Sequence, residues 1–194
     1  ESSGTLSIAL DDVDRSGGMS TADLVTVTYD ACAYPGGRID AALRIRVGAV
    51  SNTGTEQQRR GALEIVRFVQ LDGGDEVTLR GGLNFAFTST VAEDRLEIDA
   101  TELASIFAGK TDTLSAFAYR FTLQQNGGGY DNIATGTVRS ESLPGTFSFT
   151  QPSTWRAPGG QWPVAGTVSI AGRNGTSARL DQFDASVAGA SGQV

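Results

Sequence analysis

Twelve residues near the N-terminus have the spacing that best suggests a metal: Asp12-Val13-Asp14-Arg15-Ser16-Gly17-Gly18-Met19-Ser20-Thr21-Ala22-Asp23. Laid on a twelve-position calcium loop, Asp12, Asp14 and Ser16 take the first, third and fifth positions. Gly17 falls at the sharp turn, Met19 at the apolar eighth position, Ser20 at the ninth and Asp23 at the last. Calcium is a hard ion that takes six or more oxygens, and this spacing can wrap them round one point. The expected ligands are therefore Asp12, Asp14, Ser16 and Asp23, with calcium as the cofactor. The closing residue is Asp, with a shorter reach than Glu, and the flanks read as strands instead of helices. Asp, Ser and Gly also favour ordinary turns, so a plain turn remains the alternative.

Other chemistry is sparser. Histidine is absent, which removes His-based triads and His-ligated metals. The carboxylates Asp72/Asp75, Glu93/Asp94 and Glu97/Asp99 sit at turns or on an alternating strand and read as a solvated acidic face. A glycosidase would need two of them fixed across a cleft. The lone Cys32 reads as a buried small hydrophobe. The Gly-rich stretches do not join a strand to a helix, so they do not predict phosphate cradles. Trp155 and Trp162 flank a Pro/Gly loop and could stack on a glycan, although a Trp there more often closes a β core. No enzyme is expected. A net charge of −7 without a basic stripe argues against nucleic acid as a partner. No apolar run is long enough to predict a transmembrane helix.

The elements that must carry these residues share one phrase: a small pair followed by alternating apolar and polar positions. It reads Gly4-Thr5-Leu6-Ser7-Ile8-Ala9-Leu10, returns as Ala41 to Val47 and Gly81 to Phe87, and recurs in shorter form at Gly136, Gly145 and Gly166. Period two puts Leu, Ile and Phe on one face of a strand. The 25 glycines suit many short strands with tight turns. Turns are predicted at Tyr34-Pro35-Gly36-Gly37, Asp72-Gly73-Gly74-Asp75, Asn126 to Gly129 and Gly172-Arg173-Asn174-Gly175. Residues 51–60 read as a loop. The apolar phase switch between Ile65 and Val66 predicts a bulge. Thr101 to Ala108 reads equally as a strand or a short helical turn. The sum is an all-β fold: an antiparallel sandwich or partly open barrel of about a dozen short strands, with at most one short helical turn. It forms one domain over residues 1–194.

The layout resembles a loosely defined group of exported Gram-negative bacterial proteins, many of them lipoproteins. The likeness rests on Asp12 to Gly17 leading into Val25 to Cys32, then Gly36-Gly37 and Ala42 to Val47. It continues at Gly145 to Thr150, Val164 to Ile170 and Asn174 to Leu180. The resemblance implies export and a β fold, and brings no activity. Glu1 in place of Met predicts a processed N-terminus, and without an N-terminal Cys no lipid anchor is expected. The expected function is a non-catalytic structural subunit of an extracellular or cell-surface assembly, a filament being one form. Other copies of the chain are the expected partners. Residues 1–10 could be an exchanged or donated strand that adds to a neighbour's sheet through Leu6, Ile8 and Leu10. The alternative is a monomeric periplasmic or secreted module that binds calcium or a glycan.

Overall fold

Alternation at this density gives one sheet. The computed structural model describes residues 3–143, 145–157 and 164–182. They form eleven antiparallel strands: β1 (Thr5–Asp11), β2 (Leu24–Tyr34), β3 (Gly37–Asn52), β4 (Glu56–Asp72), β5 (Asp75–Thr90), β6 (Glu93–Phe107), β7 (Lys110–Gln124), β8 (Gly129–Ser140), β9 (Gly145–Ala157), β10 (Ala165–Ala171) and β11 (Ser177–Gln182). Each pairs with the next in sequence, so the sheet is an open meander with β1 and β11 at its edges. The all-β antiparallel expectation holds in this form. Helical geometry among the described residues is confined to 3-10 turns at Gln125–Gly127 and Arg173–Gly175.

Several strands are longer than expected. Of residues 51–60 only 53–55 form the turn, and the rest pair as the tip of the β3–β4 hairpin, with Ser51 opposite Gln58 and Asn52 opposite Gln57. Ladder bonds join backbone to backbone whatever the side chain, so a polar segment that projects beyond the apolar rows can stay paired. Thr101 to Phe107 is strand as well, within β6. The bulge falls where the phase switches: Ala42 pairs with Arg67 and Leu43 with Ile65, leaving Val66 unpaired and exposed. The Asp72–Asp75 turn closes through Gly73 and Gly74, both at positive φ, as a two-residue hairpin turn requires.

The register lines the apolar residues up across the sheet. One row runs Ile8, Val27, Leu43, Ile65, Gly81, Leu103, Leu114, Val138, Phe147 over nine strands. At Gly81, φ is +114° and an added Cβ would stand 2.5 Å from the Glu102 carbonyl oxygen. Only glycine lets β5 and β6 come this close in that conformation. The opposite face carries Arg46, Ala62, Asn84, Asp99, Ala118 and Thr135 in one row.

Each strand packs chiefly on its sheet neighbours, and among the described residues no second layer covers the apolar rows. Leu43, Ile65, Leu103, Leu114 and Val138 are accordingly only half-buried. The buried apolar residues are Val25, Ala41, Val47, Ala100 and Ala157. Cys32 is half-buried instead of buried, because its outer neighbour is the edge strand alone. Its thiol donates to the Thr5 carbonyl at 3.4 Å.

Candidate functional site

The loop between β1 and β2 is built around a carboxylate. Asp23 has no exposed surface and is the largest fully buried side chain among the described residues. Its Oδ1 accepts the Val13 N–H at 2.9 Å, and its Oδ2 accepts the Ser20 N–H at 2.6 Å and the Ser20 hydroxyl at 3.0 Å. These three donors are how a buried charge is tolerated. Asp23 also ties the loop to β3: its carbonyl accepts the Val47 N–H at 2.9 Å, while Ala22 N–H reaches the Val47 carbonyl at 2.8 Å. Arg15, Gly17 and Ala22 take positive φ to make the chain fold back this tightly.

Asp12 and Asp14 close the other side. Asp12 accepts Ser16 N–H at 3.0 Å and Gly17 N–H at 2.8 Å through its two oxygens, and Asp14 accepts the same Ser16 N–H at 3.0 Å. The Ser16 and Ser20 side chains beside it, together with the Ser16 N–H, favour its charged form and hold the Asp14 carboxyl below its ordinary range. One oxygen from each of Asp12, Asp14 and Asp23 lies within 4.8 Å of the other two. A calcium ion bonded at about 2.3–2.6 Å spans oxygens up to about 4.6–5.2 Å apart, so the separation fits. Oδ1 of Asp23, Oδ1 of Asp14 and both oxygens of Asp12 each accept a single N–H and keep a second lone pair, whereas Oδ2 of Asp23 already accepts two donors. None of the ion pairs among the described residues reaches this loop.

Three of the four expected ligands thus come together. Ser16 contributes its N–H, while its hydroxyl donates to the Gly18 carbonyl at 3.1 Å. Ser20, the ninth position of the loop, belongs to the cluster and was not among the expected ligands. Its signal was present in the spacing, since a Ser at that position can supply oxygen directly or through water.

The other expected chemistry disperses. Asp99 accepts from Asn84 at 2.8 Å, and Glu97 stands opposite Arg120 on the polar face. Glu93 pairs with Arg95 at 2.5 Å and Asp94 accepts from Gln125 at 2.8 Å. Asp72 and Asp75 face each other across their turn. Trp155 is half-buried on β9 with its indole crowding Gly166, and its Nε1 has no hydrogen-bond partner among the described residues. Trp162 lies outside the described residues, as does the C-terminal tail.

The expected partner-binding residues share one edge. Leu6, Ile8 and Leu10 pair with Tyr29, Val27 and Val25, which places them on the apolar face of the outermost strand. They are 54, 67 and 46 % exposed, because nothing lies beyond β1 among the described residues. No helix among those residues is long and apolar enough to cross a membrane. No family model, curated protein or solved structure matches the chain.

Proposed function

We propose that this chain is a non-catalytic structural subunit of an extracellular or cell-surface assembly, joined to its neighbours by addition of a strand at the β1 edge. One observation carries the reading: β1 is an alternating strand with exposed Leu6, Ile8 and Leu10, and its outer edge is unpaired among the described residues. Such an edge is a template for another chain. It offers main-chain hydrogen bonds for affinity and alternate side chains for specificity. The uncovered apolar rows favour the same role, since large exposed apolar surfaces mark contact sites. Electron microscopy and light scattering of the native material test it. Multimers that dissociate when residues 1–10 are removed support the reading. A single 20.2 kDa species at every concentration retires it.

A second reading, a calcium-binding module, is favoured by the convergence of Asp12, Asp14 and Asp23. Calorimetry with calcium chloride should then show heat that Asp14→Ala abolishes, together with a rise in melting temperature. No heat and no shift would end it. Glycan stacking on Trp155 has no comparable support among the described residues, and Trp162 lies outside them.

A further inference from the structure

The backbone of β1 specifies what can pair with it. The Thr5 carbonyl accepts the Cys32 thiol, and at the start of β2 the Asp23 carbonyl accepts Val47 N–H from β3, so the even residues of β2 face β1 and the odd residues of β1 turn their carbonyls toward β2. Backbone polar groups alternate sides along a strand, and no register shift interrupts the β1–β2 ladder. The N–H and C=O groups of Leu6, Ile8 and Leu10 therefore point to the open edge.

We infer that the β1 edge forms a two-fold symmetric dimer, in which β1 pairs antiparallel with β1 of a second copy and Ile8 faces its own counterpart. This deepens the strand-addition reading above and rests on it. The register follows from maximum overlap of the outward groups. With Ile8 on the axis, Leu6 faces Leu10 of the other copy, Ser7 faces Ala9 and Thr5 faces Asp11. All three outward residues on each copy then fall in hydrogen-bonded pairs. Their side chains meet on one side, so the apolar face runs unbroken across the axis. Charge agrees as well: the one charged residue of β1, Asp11, meets Thr5 and not another Asp11.

The topology separates this arrangement from head-to-tail growth. In a meander, strand direction alternates, so β1 and β11 run the same way. Joining β11 of one copy to β1 of the next, with the apolar faces on one side, gives a parallel pair. Parallel pairing is slightly less stable per residue than antiparallel. The two-fold arrangement keeps both the antiparallel ladder and the common face, and an isologous contact closes on itself. The Asp12–Asp23 loop is tied at its far end to Val47 of β3, on the side away from the open edge. Nothing on β1 guards against pairing: between Thr5 and Leu10 there is no Pro, no Lys and no bulge. Seven residues a side make a contact below the size of a permanent interface, so the association depends on concentration.

Disulfide trapping in the full chain tests the register, with Cys32→Ser as background to remove the native thiol. Hydrogen-bonded antiparallel partners have Cα atoms about 5.5 Å apart, within disulfide range. Ile8→Cys alone should cross-link to a dimer at least an order of magnitude faster than Leu6→Cys alone or Leu10→Cys alone. Mixing the Leu6→Cys and Leu10→Cys chains should restore cross-linking. As a check independent of oxidation, Ile8→Lys and Ile8→Glu should each sediment as monomer and should associate when mixed. Equal cross-linking from Leu6→Cys, or no gain on mixing the charged variants, overturns the register. A chain that multimerises by light scattering yet never cross-links through position 8 overturns the two-fold and leaves strand addition standing. A chain that stays monomeric throughout overturns both.

Discussion

The two edges of this sheet differ in how they meet water. β1 is uncharged from Thr5 to Leu10 and alternates without interruption. Its loop end is pinned by a buried carboxylate. β11 carries Arg179 and Asp181, which pair at 2.8 Å, with Asp181 also accepting the Thr167 hydroxyl at 2.7 Å. Charge on an edge strand resists pairing with another chain, and its absence invites it. The same meander therefore ends in one guarded and one receptive edge. The β1 edge is the one whose loop end is tied down by Asp23. Pre-organisation of this kind lowers the entropy lost when a partner strand adds.

The largest effect is expected where that pinning is removed. Asp23→Ala takes the acceptors from Val13 N–H, Ser20 N–H and the Ser20 hydroxyl in a part-buried setting. Orphaned buried donors cost about 1–3 kcal/mol each, and partial access to water brings the sum to about 3 kcal/mol. The melting temperature should fall by about 6–12 °C for a chain of this size. Hydrogen exchange should speed up across β1 and leave β10–β11 unchanged. Equal loss of protection at both edges would show that Asp23 is a general support and not a local pin.

A smaller effect separates the two sides of β1 itself. Proline removes one N–H. At Ser7 that N–H belongs to the ladder with β2, so Ser7→Pro should cost about 1–3 kcal/mol and lower the melting temperature by several degrees. At Ile8 the N–H faces the open edge, where proline is tolerated. Ile8→Pro should change melting by less than half as much, yet abolish self-association in sedimentation. Equal destabilisation by the two variants would contradict the assigned direction of the backbone groups.

The sequence disclosed some of this and hid the rest for physical reasons. Turns were legible because they depend on local chemistry: Gly73-Gly74 supply positive φ, and Pro35-Gly36 suit the central positions of a two-residue turn. The Val66 bulge was legible because slipping the register by one flips the apolar face. Strand length was not, because residues 51–52 and 56–60 pair through the backbone, which side-chain polarity does not report. Three of the four loop ligands could be read from oxygen spacing. The turn of the Ser16 hydroxyl toward Gly18 and the engagement of Ser20 depend on left-handed Arg15 and Ala22, residue types that do not announce that conformation. Leu6, Ile8 and Leu10 were recognisable as a strand. Their position at an edge was harder to single out, since the same rhythm recurs in the strands at the centre.

The smallest effect concerns the guarded edge and its response to acid. The Arg179 side chain, then the Thr167 hydroxyl, hydrogen-bond the charged form of Asp181 and hold its carboxyl below the ordinary value of 3.8. A carboxyl whose pKa is lowered by folding adds stability above its unfolded value. That contribution is lost as pH falls through the folded value. It is therefore complete at neutral pH and disappears only below about pH 4. Because the pair is solvent-exposed, its effect on melting should be slight and should shrink further in salt. Carbon-detected NMR titration of the Asp181 carboxyl reads it directly: Arg179→Ala should move the midpoint back up toward the ordinary value. With that charge pair broken, the β11 edge should also lose part of its resistance to pairing. Dimers that sedimentation detects in an Ile8→Pro background only when Arg179→Ala is added would locate the guard at this ion pair. Their absence would show that this ion pair is not what guards β11.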